Sequence, residues 1–555
     1  MPSLRDIAAF AVRFAAASSA LSVHDNASTS TDSALQPVAG NYTGALRPQV
    51  HFSAPQNFMN DPNGLFLDAK GVWHAYYQYN PTELWAGNQH WGHATSRDLY
   101  HWENQPIAIF PPEDRTYVFS GSVVTDPNNT SGFFPGRDDG VIAMFTLARS
   151  NADGTAGPQT QSIAYSLDGG YSFRHYDGNP VINSTSSQFR DPKVIWHHDR
   201  WVMVLAYAQE FTVGIYTSPN MREWTHASNF SRHGLLGAQW ECPNLVKMPV
   251  RDAVGGRAVG EAYVMVVSVQ PGAPLGGSAT QYFPGDFNGT HFTPWDGATR
   301  LAEFAKDNYA AQYFYGVPEG ENAVSMSWAS NWQYANTVPT GQLEGWRGGL
   351  TLPRENYLAR AERVGWVMVN EVHAGFAPLL PGGGTAELGS FDFDGSGAAS
   401  KMMDLGGWNS GSYYIDTNVT GLEAAKLGPD AYITFSLSSP STGERLRWGF
   451  VFTGDTPFWI DRGEARALFQ DNVFFTDKFA ASDVWNTTAG APAWRVQAVA
   501  DRSILEVFVD SGVHAATALY FPAQPLSVLH VQVGGLSPNA KVRVAVMGLE
   551  GVWNK

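Results

Sequence analysis

The sequence predicts an all-β protein in two parts, a β-propeller followed by a β-sandwich. From about residue 48 onward, short runs of apolar, β-branched and aromatic residues alternate with turn clusters of Gly, Pro, Asn and Asp. No long segment carries apolar residues at helical spacing. A Gly-rich stretch near 375–400 then separates an aromatic-dense region from a second series of alternating strands.

Several runs show the strand pattern clearly. In the first part they are 141–148, 201–208, 211–218 and 262–270, and in the second part 432–439, 504–510 and 541–548. Each is short, rich in β-branched or aromatic residues, and bounded by turn residues.

A loose internal repeat favours the propeller. The segments ATSRDLYHW (94–102), AYSLDGGYSF (164–173) and YTSPNMREW (216–224) each read as a strand end, a serine, a polar turn and an aromatic residue. Their serines are 70 and 52 residues apart, which exceeds the ~40–50 residues of common propeller blades and leaves room for insertions. The alternative is a sandwich with three similar hairpins.

The chain is therefore divided into four predicted regions. Residues 1–45 are a signal peptide and a flexible lead-in, 46–375 a propeller domain, 376–395 a linker, and 396–555 a β-sandwich. The apolar stretch 7–23 resembles a signal peptide, although Asp6 and Arg13 interrupt the pattern. Nine Asn-x-Ser/Thr triplets favour a secreted glycoprotein, and an intracellular protein is the alternative.

The composition argues against several partners. The net charge is −16 and no cluster of Lys and Arg is found, so neither nucleic acid nor an anionic membrane is an expected partner. No uncharged apolar run reaches the ~18 residues of a membrane span. Cys242 is the single cysteine, so an internal disulfide is excluded.

The sequence predicts neither a metal nor a cofactor. It contains no HExxH motif, and none of its 15 histidines pairs with cysteine at zinc-finger spacing. The Gly-rich segment 272–278 lacks the Lys-Ser/Thr of a phosphate loop. Segment 392–397 begins like a calcium loop, but Met403 stands where the bidentate Glu belongs.

Three segments carry carboxylates in unusual surroundings. FMNDPNGLF (58–66) places Asp61 in a turn sequence flanked by apolar residues, FRDPKVIW (189–196) places Asp191 beside Arg190, and QWECPNLV (239–246) places Glu241 in an apolar stretch. A cation beside Asp191 is expected to keep it ionised, and apolar surroundings favour the protonated carboxyl that a general acid requires. The structural alternatives are a tight turn, a local charge pair and a solvent-facing edge strand.

Taken together, the three carboxylates suggest glycoside chemistry. Retaining hydrolysis needs a nucleophilic carboxylate and a protonated carboxyl about 5 Å apart. A third negative group stabilises an oxocarbenium-like transition state. In a propeller the first strands of successive blades line one central cavity, so segments distant in sequence can converge there.

The chain resembles glycoside hydrolase family 32, the invertases, exo-inulinases and fructosyltransferases, and most of all its fungal members. The motifs NDPNG (60–64), RDP (190–192) and EC (241–242) carry the resemblance, together with YYQYNP (76–81), FSGS (119–122), KDNYAAQ (306–312) and SWASNWQYA (327–335). By that match Asp61 would be the nucleophile, Asp191 the transition-state stabiliser and Glu241 the acid/base. The substrate-binding residues implied are Asn60, Gln78, Trp85, Phe119, Ser120, Arg190 and Trp328.

The resemblance implies a five-bladed propeller with a β-sandwich, a funnel-shaped site and a covalent fructosyl-enzyme intermediate. The expected substrates are sucrose and fructo-oligosaccharides, and the family includes homodimers. Three positions depart from common family patterns, Phe58, Ala86 and Asn244. Because they are expected near the leaving group, a shift toward transfructosylation is predicted.

The alternatives are a dedicated fructosyltransferase, an exo-inulinase or levanase, and a sugar-binding protein without turnover. The presence of all three carboxylates argues against the last of these.

Overall fold

The computed structural model describes residues 36–361, 364–381, 387–395, 397–455, 457–482 and 494–553. Their regular secondary structure is almost wholly β-strand, so the all-β prediction is confirmed. The helical segments within them are short. They include the α-helix α1 (Thr340–Glu344) and 3-10 turns at Ala208–Glu210, His373–Leu379, Ala424–Lys426 and Ala467–Phe469.

The first part of the chain consists of antiparallel groups of four principal strands. The strands are β1 (Asn57–Leu67), β2 (Trp73–Asn80), β3 (His90–Ser96), β4 (Trp102–Ile109), β5 (Thr116–Thr125), β6 (Val141–Ser150), β7 (Ala156–Ser166), β8 (Arg174–His175), β9 (Phe189–His197), β10 (Arg200–Tyr207), β11 (Thr212–Ser218), β12 (Thr225–Ser231), β13 (Trp240–Arg251), β14 (Ala258–Val269), β15 (Ala279–Phe287), β16 (Phe292–Pro294), β17 (Arg300–Leu301), β18 (Tyr309–Tyr313), β19 (Ala323–Trp328), β20 (Trp346–Arg347), β21 (Arg354–Ala361) and β22 (Gly365–Val372).

The groups are β1–β4, β5–β8, β9–β12, β13–β16 and β18, β19, β21, β22. The last two groups join in one sheet where β13 pairs with β21, and β20 extends the first group along β1. The first strands of the groups contact one another in the order β1, β5, β9, β13, β18 and back to β1. They therefore surround a common axis.

The internal repeat occupies equivalent places in three groups. Each segment joins the third strand to the fourth, β3 to β4, β7 to β8 and β11 to β12. The hydroxyls of Ser96, Ser166 and Ser218 each donate to the side chain two residues on, at 3.2, 2.6 and 3.4 Å. The repeat is thus a recurrent turn that caps one strand and starts the next.

The second part consists of two six-stranded antiparallel sheets. The strands are β23 (Glu387–Asp394), β24 (Ala399–Asp404), β25 (Ser412–Thr420), β26 (Tyr432–Ser438), β27 (Arg445–Val451), β28 (Phe458–Glu464), β29 (Lys478–Ala481), β30 (Trp494–Asp501), β31 (Ile504–Val509), β32 (His514–Leu519), β33 (Val528–Gly534) and β34 (Lys541–Gly548). One sheet has the order β23-β34-β25-β30-β31-β32, and the other β24-β33-β26-β27-β28-β29. Side chains such as Val507 from the first and Trp448 from the second belong to one buried cluster, as in a sandwich.

Two predicted boundaries are wrong in part. The lead-in does not extend to residue 45, because Tyr42 is buried and stacks on Trp553 with ring centroids 3.9 Å apart. The predicted linker 376–395 contains strand β23, whose Phe391 and Phe393 are buried while Asp392 between them is exposed. The alternation of buried and exposed side chains at the end of this segment is typical of a strand, although the Gly-rich residues before it suggested a linker. The predicted signal peptide lies within 1–35, outside the described residues.

A buried cluster of charges joins the two parts. His51 lies between two carboxylates, with Nδ1 2.8 Å from Asp501 and Nε2 3.2 Å from Glu506. Arg354 donates to Glu506 at 2.8 Å and also to Glu303. All five side chains are less than 5% exposed.

Across the residues that the structure describes, no helix is long and apolar enough to cross a membrane.

Candidate active site

The predicted carboxylates converge although they come from different strands. The first strands of the groups each bring residues to one place: β1 brings Asn60 and Asp61, β5 Phe119 and Ser120, β9 Arg190 and Asp191, β13 Glu241 and Cys242, and β18 Tyr309. Hydrogen bonds join β1 to β5, β9 to β13, and β13 to β18 at these residues. The site therefore lies around the common axis.

Each of these strands is irregular at the site. Pairing with the neighbouring strand is interrupted between Met59 and Pro62 in β1, between Val118 and Gly121 in β5, between Arg190 and Lys193 in β9, between Glu241 and Asn244 in β13, and between Tyr309 and Gln312 in β18. Proline follows Asp61, Asp191 and Cys242, and proline has no N–H for a sheet ladder. The bulges release these side chains from the regular alternation of a strand.

The Asp61 carboxylate is held by short polar donors. Its Oδ2 accepts a hydrogen bond from Ser120 Oγ at 2.8 Å, and its Oδ1 accepts one from Asn60 Nδ2 at 3.0 Å. Burial raises the pKa of Asp61 above its usual value, the Ser120 and Asn60 hydrogen bonds act against that rise, and the charge of Glu241 adds to it. Asp61 is 7% exposed, so its environment is polar but nearly dry.

Asp191 sits in a strained part of the backbone. Its φ is 65°, in the left-handed region that a residue with a Cβ seldom adopts. Its N–H donates to Thr146 Oγ1 at 3.0 Å, and its Oδ2 accepts the N–H of Cys242 at 2.9 Å.

Burial of Asp191 acts against the effect expected of Arg190. Burial raises the pKa of Asp191 to about 7; Arg190 lowers it, and the charges of Glu241 and Asp61 raise it further. A neighbouring cation does not compensate for burial here. Arg190 forms its ion pair with Glu241 and not with Asp191.

Glu241 is held at both carboxylate oxygens. Arg190 Nε donates to Oε1 at 3.0 Å and the Tyr309 hydroxyl donates to Oε2 at 2.6 Å. The Glu241 side chain is 14% exposed, and its surroundings are polar, unlike the apolar stretch inferred from its sequence neighbours. Burial acts against the charge of Arg190, but the Glu241 and Asp191 carboxylates raise the pKa of Arg190.

Cys242 connects the two aspartates. Its thiol lies 3.4 Å from Asp61 Oδ2 and 3.6 Å from Asp191 Oδ2. Burial raises the pKa of this thiol well above its usual value, and the neighbouring carboxylates raise it further, so the thiol is a neutral donor. The φ of Cys242 is 47°, a second left-handed residue that is not glycine.

The other predicted substrate-binding residues divide into two sets. Gln78 is 2% exposed and donates to the Val118 carbonyl at 3.0 Å, and Trp328 is fully buried with an indole N–H that has no partner among the described residues. Trp85 is 51% exposed in the loop between β2 and β3. Phe119 is half-buried, and its carbonyl accepts the Trp91 indole N–H at 3.0 Å.

The three departing positions do not share one location. Phe58 is buried against Trp328 and Trp332, and Ala86 packs on the same cluster. Asn244 is fully buried and donates to the carbonyls of Cys242 and Ala311, at 3.2 and 2.8 Å. It therefore supports the backbone of Cys242 from the buried side.

Sequence reasoning missed Tyr309 and the glutamines around Arg190. Gln159, Gln188 and Gln239 accept hydrogen bonds from the guanidinium at 3.2, 2.9 and 3.0 Å. Gln188 and Gln239 each lie two residues before a charged site residue, a spacing that puts them on the same face of a strand. That signal was available. Tyr309 lies in the segment KDNYAAQ (306–312), but no role was inferred for it from the sequence.

The described residues offer no arrangement of three or more His, Cys, Asp or Glu side chains suited to holding a metal ion. What the site offers is general acid/base and nucleophilic chemistry by carboxylates.

Buried carboxylates that meet on the axis of an all-β domain supply the groups that a carboxylate-dependent glycosidase requires. The comparisons with known proteins make the class specific. The model of the N-terminal domain of glycosyl hydrolases family 32 matches residues 51–364, and the model of the C-terminal domain of the same family matches 410–545. The chain belongs to glycosyl hydrolases family 32, and it is a glycoside hydrolase of the β-fructofuranosidase type.

Individual relatives agree over nearly the whole chain. An invertase of Wickerhamomyces anomalus is 39% identical, covering 88% of this chain and 92% of the relative. An extracellular exo-inulinase of Meyerozyma guilliermondii is 38% identical, covering 86% and 90%. The structure of a fructofuranosidase from Schwanniomyces occidentalis complexed with fructose superposes with a TM-score of 0.80 at 33% identity, covering 92% of this chain and all of that one.

Proposed function

We propose that the protein cleaves terminal β-D-fructofuranosyl residues from sucrose and related fructosides, with retention, through a covalent fructosyl-enzyme intermediate. The observation that carries the proposal is the convergence of Asp61, Asp191 and Glu241 around Cys242. The relatives named invertase, exo-inulinase and fructofuranosidase support the choice of a fructoside as the substrate.

Asp61 is the proposed nucleophile. It would attack the anomeric carbon while the glycosidic oxygen leaves. The Ser120 and Asn60 donors stabilise the ionised carboxylate and fix its orientation. The thiol of Cys242 can donate to Asp61 Oδ2 while that oxygen is charged. Asp61 would lose its charge when the covalent intermediate forms and regain it when the intermediate is hydrolysed.

Glu241 is the proposed acid/base. Its carboxyl would protonate the leaving oxygen in the first step and accept a proton from water or a sugar hydroxyl in the second. Arg190 and Tyr309 hold its two oxygens, which limits rotation of the group between the steps.

Asp191 is the proposed stabiliser of the oxocarbenium-like transition state. A fixed negative charge stabilises a positively charged transition state more strongly in a site that excludes water than it would in water. Asn60, Gln78, Ser120, Arg190 and Trp328 are the proposed binding residues of the fructosyl unit. Trp85 and Phe119 are proposed for the outer part of the site.

The proposed fold and location follow the same evidence. Five four-stranded groups whose first strands surround one axis support a five-bladed propeller, with 46–375 as the catalytic domain and 396–555 as the sandwich. Relatives that include an extracellular exo-inulinase support secretion. A homodimer remains a proposal of the family resemblance alone.

The proposal is tested by timed sugar analysis at low and high sucrose concentration. Wild type is expected to release glucose and fructose, and Asp61→Ala is expected to release neither within the detection limit. Asp199→Ala removes an exposed carboxylate and serves as the matched control with wild-type activity. Full activity of Asp61→Ala would overturn the proposed nucleophile.

Two alternative functions use the same chemistry: an exo-inulinase or levanase, and a fructosyltransferase. The similar identities of the invertase and the exo-inulinase favour testing inulin and levan beside sucrose. Phe58, in the aromatic cluster with Trp328, is the departure best placed to change acceptor choice. Glucose in excess of fructose, with trisaccharides appearing at high sucrose, would identify a transferase; equal yields would exclude that candidate.

A further inference from the structure

The segment that leads into Tyr309 is anchored on the sandwich. Asp307 is fully buried, and its Oδ2 accepts hydrogen bonds from Arg462 Nη1 at 2.6 Å and from the N–H of Leu519 at 2.8 Å. The N–H of Asp307 donates to the Thr517 carbonyl at 3.2 Å. Side chain and backbone of this one residue are thus fixed to strands β28 and β32.

Arg462 is itself held by several contacts. Its side chain is fully buried, and it donates to the carbonyls of Thr476 and Leu519 at 2.7 and 2.8 Å. Its guanidinium carbon lies 3.6 Å from the ring centre of Phe475. A buried ion pair often stabilises a fold no better than apolar side chains of the same volume, so the Arg462–Asp307 pair calls for a second reason.

That reason lies two residues along the chain. Consecutive Cα atoms are 3.8 Å apart, so Asp307 and Tyr309 are separated by less than ~8 Å of backbone. Tyr309 is 1% exposed, and its hydroxyl donates to Glu241 Oε2 at 2.6 Å. Ala310, which follows, is fully buried in the left-handed region at φ 53°, so the backbone cannot relax freely on that side.

We propose that Arg462 is a positioning residue for acid/base catalysis: through Asp307 it holds the Tyr309 hydroxyl against Glu241. The sandwich thereby contributes to the chemistry of a site made of propeller residues. The inference rests on the proposed role of Glu241. A misplacement of about 1 Å at a reacting group can cost up to ~100-fold in rate.

The leaving group provides a selective readout. A sugar alkoxide must be protonated as it leaves, whereas 4-nitrophenolate leaves without a proton. A loosened Glu241 therefore slows cleavage of sucrose more than cleavage of a 4-nitrophenyl β-fructofuranoside. A residue that serves only the stability of the fold would lower both rates alike.

The test is a double-mutant cycle with Tyr309→Phe and Arg462→Lys, with kcat/KM measured on both substrates. Each single variant is expected to lower kcat/KM for sucrose about tenfold, the value of one hydrogen bond to a charged group, and for the aryl fructoside less than about threefold. The double variant is expected to equal Tyr309→Phe, because Arg462 acts through that hydroxyl. Multiplicative effects, or equal losses on both substrates, would overturn the proposal.

Tyr334→Phe keeps the test decisive if Arg462→Lys does not fold. The Tyr334 hydroxyl donates to Asp307 Oδ1, and its loss leaves the ion pair in place. We expect this variant to lower the ratio of kcat/KM for sucrose to kcat/KM for the aryl fructoside, but by less than Arg462→Lys does. Arg447→Lys is the matched control, since Arg447 lies on the adjacent strand β27 and pairs with Asp461 at 2.7 Å. Arg447→Lys should leave the ratio of the two kcat/KM values unchanged.

Failure of the proposed function would look different. If Glu241→Gln cleaved both substrates at the wild-type rate, the acid/base assignment itself would be wrong. If Glu241→Gln lost sucrose activity selectively while Arg462→Lys and Tyr334→Phe kept the wild-type ratio, only the positioning role would be rejected.

Discussion

The active site and the interface between the two parts of the chain both bury several charges, and the pKa shifts of Asp61 at the site and Asp501 at the interface are opposite. At the interface, Asp501 accepts three backbone N–H groups, from Gln49, Val50 and His51, and also the Ser412 hydroxyl. Burial acts to raise the pKa of Asp501, yet the His51 imidazole above all, together with the Gln49 N–H and the Ser412 hydroxyl, holds it below its usual value. At the site, the partners of Asp61 do not compensate for burial, and its pKa is raised.

The difference lies in the number of positive partners. His51 and Arg354 face the interface carboxylates, whereas Arg190 is the cation that contacts Glu241 and lies beside Asp191. An excess of negative charge destabilises the folded protein but is complementary to a positively charged transition state. We therefore expect the charges at the site to favour catalysis at the expense of stability, and those at the interface to favour stability.

The largest expected effect separates activity from stability at Asp61. Asp61→Asn should lower kcat on sucrose by about 10⁴-fold or more, as loss of a catalytic nucleophile does. Its melting temperature should equal or exceed that of wild type, because a poorly compensated buried charge is removed. Activity assays with calorimetric melting on the same preparation measure both. A destabilised variant would contradict the comparison.

At the interface we expect the opposite result, a loss of stability when a charge is removed. Arg354→Met leaves Glu506 and Glu303 without their shared cation and should cost about 3–5 kcal/mol of stability. Denaturant unfolding measures the loss. The matched control is Arg445→Ala, which removes an exposed pair with Glu464 and should cost at most about 1 kcal/mol. Similar losses for the two variants would remove the distinction between buried and exposed pairs.

The His51 imidazole should give the interface a pH dependence. Burial alone would lower its pKa, but Asp501 and Glu506 raise it to about 9 from the usual 6.5. Because the folded pKa is the higher one, the stabilisation is complete below pH 6.5 and is lost as the pH rises through 9.

Melting temperatures of wild type and His51→Gln between pH 6 and 10 test this. The wild type should lose its advantage over the variant toward pH 10. Parallel curves would show that His51 is not charged in the folded protein.

The smallest expected effect is a change in the pKa values of the two site aspartates. Glu241 raises the pKa of both Asp61 and Asp191, so Glu241→Gln should lower both. The pH dependence of fructose binding, followed by calorimetry, should move to lower pH in this variant. Asp199→Asn, an exposed carboxylate, is the control and should leave the dependence unchanged.

Much of the fold could be predicted from sequence because its signals are local. The run 541–548 is strand β34, and 432–439 matches β26 within one residue, since strict alternation survives whatever the strand packs against. The linker prediction was wrong where a Gly-rich flank concealed β23. Tyr42 was placed in a flexible lead-in because its partner, Trp553, lies more than 500 residues away.

The sequence by itself determined the all-β class, the recurrent turn segment and the three candidate carboxylates, because turn chemistry and the Asp-Pro and Glu-Cys-Pro motifs are written in neighbouring residues. Only the tertiary structure decided that Arg190 pairs with Glu241, that Cys242 joins the two aspartates, that Asn244 lies behind the site, and that Tyr309 completes it. These contacts join strands tens to hundreds of residues apart. Their distances depend on how the strands surround the axis, which no local pattern encodes.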